Sequence, residues 1–233
     1  MTFTHPRHAA LWARITPPSD LAHDGDHLLR VYWQAVALAP EAGADPDLCG
    51  AAALVHDLVD VPKESPERPQ GGARSAQAAA PLLAEVGYLP GEVARVTEAV
   101  RTSSWSRGLA PTCPEGVALQ DADRLDAIGA IGVARALTTA QAMASRGAKV
   151  RLYHPEDPLA QGRVPDDRRY ALDHFPVKLL RLAEALHTPS ARAEGRRRQE
   201  ALRCFLEALA REVEPPSRAG PREQAPPGDS GAT

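Results

Sequence analysis

The sequence predicts an all-α, single-domain helical bundle, and three observations carry that expectation. Aromatic residues make up 4% of the 233-residue chain while 43% is hydrophobic. The core must therefore be assembled from alanine, leucine and valine, a composition that favours helices over sheets. Apolar residues recur at helical spacing in successive segments, and no segment of useful length alternates with the two-residue period of a strand. Caps and breakers suited to helices separate these segments, and no internal repeat interrupts them.

Taken in order, a short helix is expected from His8 to Ile15, ended by Thr16-Pro17-Pro18-Ser19. The next runs from His27 to Ala39, capped by Asp24 or Asp26, with Leu28, Val31, Tyr32, Ala35, Val36 and Leu38 on its buried side, and is broken by residues 40–43. Asp45 reads as an N-cap with Pro46 at the first helical position. The helix it starts carries Leu48, Ala52, Val55, His56 and Val59 and ends before Pro62. A loop rich in Pro, Gly and charge follows over residues 61–72. Helices are expected at Ala73 to Val86, stopped by Gly87, and at Gly91 to Thr102. After a loop over 103–116, one long helix is expected from Val117 to Ser145, whose stretch Ala127-Ile128-Gly129-Ala130-Ile131-Gly132 invites close approach of a neighbour. A loop over 147–166 leads to a helix from Asp167 to Leu186 and a last one from Ala191 to Val213. From Glu214 onward the chain is dominated by Pro, Gly and Ser and is expected to be disordered. The expected organisation is thus one domain over 1–213 and a tail over 214–233.

Composition narrows the function classes. A net charge of -3 gives no global attraction to nucleic acid, and Arg196-Arg197-Arg198 reads as a solvated helix face. Cys49, Cys113 and Cys204 are odd in number and widely spaced, which argues against a disulfide framework or a cysteine zinc site and for a reducing compartment. No apolar run is long enough to span a membrane, and the first residues lack a basic-then-apolar signal pattern. A cytoplasmic protein is expected. A homodimer is compatible with the sequence.

The chemistry concentrates in Leu54-Val55-His56-Asp57-Leu58-Val59. An imidazole and a carboxylate inside an apolar run need partners, because burying either alone costs about 1–3 kcal/mol. A divalent cation satisfies both. Adjacent residues on a helix point about 100° apart, so such an ion needs further ligands from other helices, and His27 and Asp123 are the candidates. Two imidazoles and two carboxylates suit Mn²⁺, Fe²⁺, Co²⁺ or Mg²⁺. On an octahedral ion they leave two positions, for a water and a phosphate oxygen. Phosphoryl chemistry also needs cations around the developing charge. Lys63 and Arg68 in the following loop, Arg124 beside Asp123, and Lys178 on a later helix are available. Asp60 is placed to orient or deprotonate the attacking water.

At this point the chain resembles the HD-domain metal-dependent phosphohydrolases. The resemblance rests on His27, on His56-Asp57 and on Asp123 within Gln120-Asp121-Ala122-Asp123-Arg124-Leu125-Asp126. It extends to Val61-Pro62-Lys63, to residues 127–132, and to Arg169-Tyr170-Ala171-Leu172-Asp173-His174-Phe175 leading to Lys178-Leu179-Leu180, and so covers residues 20 to 185. It implies an all-helical fold with the metal on central helices, and hydrolysis of a phosphoester or phosphoanhydride in a nucleotide-like substrate by attack of a metal-bound water. In one small bacterial branch it implies nucleotide pyrophosphohydrolases that prefer Mn²⁺, with Ni²⁺ among the alternatives. Asp123 is preferred to Asp121 because it stands in the family's Ala-Asp-Arg-Leu context. One departure is Ser103, which precedes Ser104-Trp105-Ser106 where similar sequences often carry a histidine. It favours one metal over two, and motivates an alternative reading as a metal and nucleotide sensor without turnover.

Other residues have plainer readings. His23 and His27 are four apart, but no glutamate follows His23, which disfavours a zincin-like site. Asp121 reads as a helix-terminal charge and Asp126 as a solvent contact. Trp105 reads as a loop anchor, with base stacking the attractive alternative for a nucleotide substrate. His174 and Lys178 share a face at i, i+4, suited equally to a salt bridge or a substrate contact.

Overall fold

The computed structural model describes residues 2–18, 20–61 and 65–213 and is all-α over them. The strand content among the described residues is an isolated bridge between Arg151 and Tyr170. No helix among them is long and apolar enough to cross a membrane. The expected tail over 214–233 lies outside the described residues.

The centre of the molecule is α3 (Pro46–Val55), in which every residue from Leu48 to Val55 is buried. A helix buried all round must be apolar all round, and its alanines at 51–53 let neighbours approach closely. Asp45 caps it, accepting from the Asp47 N–H at 2.9 Å, with Pro46 in the first turn as expected. Packed against α3 are α2 (Gly25–Ala42), α5 (Pro90–Thr102), α6 (Pro114–Asp126) and the short α1 (Pro6–Trp12). The cap of α2 is Asp24, whose carboxylate accepts from the His27 N–H at 2.9 Å. α4 (Gly71–Glu85) covers α5, and the C-terminal helix Pro189–Val213 covers α6 and α7 (Gly129–Ser145).

Four expectations are corrected. α2 continues through Pro40 to Ala42, where Gly43 caps it in the left-handed conformation. Pro40 lies within the last turn, so it removes one hydrogen bond while Leu38 and Ala39 stay buried. α3 stops at Val55, with His56 as its C-cap, rather than running to Val59. The expected long helix over 117–145 is two helices, α6 and α7, separated where Ile128 is extended and Gly129 takes φ +79°. The small residues serve this break: a Cβ on Gly132 would lie 2.3 Å from the Ala127 carbonyl oxygen. Gly132→Ala is therefore expected to destabilise the fold by about 1–3 kcal/mol, read as a lowered midpoint in thermal unfolding. Finally, the helix expected from Asp167 to Leu186 begins at Ala171 and is broken into short 3₁₀, π and α turns through Ala185. A 3₁₀ turn (Ala171–Asp173) leads into a π-helix (Phe175–Leu179), anchored by fully buried Phe175.

Candidate metal centre and its cavity

Three helix ends meet on one side of α3. His27 lies in the first turn of α2, His56 caps the C-terminus of α3 with Asp57 following, and Asp123 occupies the last turn of α6. Both imidazoles are buried, and their Nε2 atoms are 3.3 Å apart. Asp57 Oδ2 lies 3.6 Å from each Nε2, and Asp123 Oδ1 lies 3.8 Å from that of His27 and 3.9 Å from that of His56. Donor atoms of His27, His56 and Asp57 all fall within 4.8 Å of one another, a grouping that could hold a metal ion. The four residues scattered from position 27 to position 123 are thus brought together.

The outer nitrogens define the tautomers. His56 Nδ1 lies 2.8 Å from the Ala53 carbonyl, which can only accept, so Nδ1 carries the proton. His27 Nδ1 donates to Asp126 at 2.8 Å. In both neutral rings Nε2 is then a lone pair, and two lone pairs face each other at hydrogen-bond distance with a carboxylate on either side. That arrangement is repulsive unless positive charge sits between them. The proton equilibria agree. Burial and the charge of Arg135 work against a proton on His27, yet the hydrogen bond to Asp126 and the neighbouring carboxylates of Asp57 and Asp123 outweigh them and raise its pKa. Burial works to raise the Asp57 carboxyl, and the two imidazoles facing it, His56 first and then His27, hold it well below the usual carboxylate range. The residues present fit a divalent cation.

Asp126 is the functional residue that sequence reasoning misses. Expected at the solvent, it is 1% exposed. Besides His27 it accepts from Arg30 Nε at 2.7 Å and Nη2 at 3.1 Å, and from Arg135 Nη1 at 3.0 Å. Burial raises its pKa, but His27, Arg30 and Arg135 together hold it well below the ordinary range. A signal was present: Arg30 is three residues from His27 and Asp126 three from Asp123, the spacing that shares a helix face. Asp121 is also buried, accepting from the N–H groups of His187 and Thr188 at 2.8 Å each, and so ties α6 to the start of the C-terminal helix.

The cluster opens into a cavity of about 530 Å³, a volume ordinary for a small-molecule site. Asp60, Arg68 and Lys178 line it, as do Trp105 and Arg135. Arg68 is held there by donation to the Val61 carbonyl at 2.6 Å. Lys63 lies outside the described residues. Arg124 is not brought to this cavity. One position from Asp123 on a helix, it points about 100° away. It donates to Ala185 O and Gln120 Oε1, both at 2.5 Å, on a separate depression beyond Trp105. Ser103 lines the cavity but donates its hydroxyl to Val100 O at 2.9 Å.

Comparisons with known proteins bear on this arrangement. The HD domain family model matches residues 24–128. The Bacillus subtilis protein YpgQ is 35% identical over 195 residues, spanning 82% of this chain and 84% of its own. The structure of YpgQ in complex with ADP superposes with a TM-score of 0.65 at 30% identity, covering 89% of this chain and 98% of that one. A Lactobacillus plantarum protein gives a TM-score of 0.70 at 27% identity, covering 91% and 98%. An HD-superfamily hydrolase of Bacillus thuringiensis gives 0.57 at 29% identity, covering 80% and 84%.

Proposed function

The chain belongs to the HD-domain phosphohydrolase family, and on that premise we propose that it cleaves a phosphoester or phosphoanhydride bond of a nucleotide with one divalent cation, Mn²⁺ before Mg²⁺, Co²⁺, Ni²⁺ or Fe²⁺. The observation that carries this reading is the pair of opposed Nε2 lone pairs flanked by Asp57 and Asp123 at the base of a cavity lined with basic side chains. His27, His56, Asp57 and Asp123 hold the cation. When bound, such an ion lowers the pKa of a water and polarises a phosphoryl oxygen.

The chain's own residues do the rest. Asp60, exposed in the cavity wall three residues beyond Asp57, accepts the proton of the attacking water. Arg68 and Lys178, and Lys63 from the adjoining segment, offset charge on the phosphoryl oxygens. Arg124 braces the turn at 185–187 and takes no part. Ser103 presents a neutral hydroxyl, a weaker ligand than the imidazole similar sequences often carry before this step, which favours one ion over two. The complex of a relative with ADP supports a nucleotide as the substrate class.

The experiment is to prepare metal-free protein, add each cation in turn, and assay nucleoside mono-, di- and triphosphates for phosphate and pyrophosphate. Turnover of at least one nucleotide, dependent on the cation, is expected. Saturable nucleotide binding with no product under any metal would replace the enzyme by a sensor.

A further inference from the structure

A second carboxylate–imidazole pair faces the same cavity from a different wall. His174 Nδ1 lies 2.7 Å from Asp167 Oδ2, both residues line the cavity, and their side chains are 18% and 20% exposed. His174 immediately precedes the π-helix Phe175–Leu179, and Lys178 on that helix lines the cavity too. π-helical turns are rare and concentrate at functional sites. This one is rigidly placed. Phe175 is fully buried, and Asp173 is buried while accepting from both Nη atoms of Arg163 at 2.6 Å.

Resting on the phosphohydrolase reading above, we propose that His174, oriented by Asp167, is the general acid that protonates the leaving-group oxygen. In-line displacement puts the attacking and leaving oxygens on opposite sides of phosphorus, so the group that takes a proton and the group that gives one belong on separate walls. Asp60 stands on the segment after α3, and His174 on the segment after the 3₁₀ turn at 171–173. With Nδ1 held by a carboxylate, the nitrogen that exchanges a proton with substrate is Nε2, the arrangement by which a carboxylate orients a catalytic imidazole. As the bond from phosphorus to the leaving oxygen breaks, the His174 Nε2 proton passes to that oxygen. The water oxygen bonds to phosphorus, its proton goes to Asp60 and then to solvent, and the imidazole is reprotonated from solvent. Asp167 stays ionised throughout.

General acid catalysis matters most when the leaving group is strongly basic, and that dependence tests the proposal. Wild type, His174→Gln and Asp167→Asn are compared with the cation present, on substrates paired by leaving-group basicity. For ester cleavage the pair is 4-nitrophenyl phosphate and glycerol phosphate. For cleavage of the anhydride between the α and β phosphorus atoms it is nucleoside triphosphates with a difluoromethylene or a methylene bridge between the β and γ phosphorus atoms, whose leaving bisphosphonates differ in basicity. His174→Gln is expected to lose about 100-fold or more in kcat on glycerol phosphate and only a few-fold on 4-nitrophenyl phosphate. On the anhydride pair the methylene analogue suffers the larger loss. Asp167→Asn shows the same selectivity. Equal losses on both members of a pair, or none on either, would overturn the acid role while leaving the hydrolase standing. A wild-type protein that turns over neither these pairs nor any natural nucleoside mono-, di- or triphosphate, with every cation, overturns the phosphohydrolase reading itself, and this one with it.

Discussion

Asp57→Ala loses cation-dependent turnover by more than the 10–100-fold that removing an outer partner of a metal ligand costs, and it does so in a folded protein. The reason lies in where Asp57 sits. Its side chain is 36% exposed at the cavity floor, beyond the end of α3, so the substitution leaves no hole in the core. It removes one of two anionic donors opposite the paired imidazoles, and with it part of the negative field that draws a cation between them. Chelation of the wild-type protein gives the same loss, restored by added Mn²⁺, whereas the variant is not restored at the same concentration. Steady-state assays over a range of Mn²⁺, with far-UV circular dichroism as the control for folding, check both halves.

Asp126→Ala strikes stability and metal affinity together. Its carboxylate is the meeting point of Arg30, Arg135 and His27, and all but 1% of it is buried. Removing one member of a buried ionic cluster leaves the remaining charges uncompensated, at about 3–5 kcal/mol. For a chain of this size that is a fall in melting temperature of about 6–20 °C. The same change unfixes the His27 tautomer, so Mn²⁺ affinity is expected to drop by about 10–100-fold. The linkage to pH follows from the depressed pKa of Asp126. The stability it contributes is fully present above the unfolded aspartate value near pH 4 and is lost as pH falls through the acid range toward the folded value. Wild type should lose melting temperature on acidification more steeply than Asp126→Asn. Parallel curves for the two proteins would show that Asp126 carries no such linkage.

Much of this arrangement is legible in the amino-acid order because local rules act alone there. Asp45-Pro46 announces the start of α3, the buried stripe from Leu28 to Leu38 announces α2, and an imidazole beside a carboxylate among aliphatics announces a shared ligand. The illegible parts depend on partners distant in sequence. Spacing puts Asp126 on the face of Asp123, but it does not say that Arg30 and Arg135 will converge there, so without them it reads as an exposed acid. The stop of α3 at Val55 depends on His56 turning back to the Ala53 carbonyl, which periodicity does not show. The break at Gly129 is hidden because Gly132 looks like a packing residue until the Ala127 carbonyl is seen against it. Arg124 beside Asp123 illustrates the converse: adjacency in sequence on a helix places side chains on different faces, and here in different cavities.

The central claim is that four side chains grip one cation, and the stoichiometry of Mn²⁺ bound to metal-free protein, read by electron paramagnetic resonance of the free ion, tests it most directly. One tight site per chain is predicted, absent in Asp123→Ala as in His27→Ala, His56→Ala and Asp57→Ala. Undiminished Mn²⁺ binding by the Asp123→Ala and Asp57→Ala proteins would contradict it.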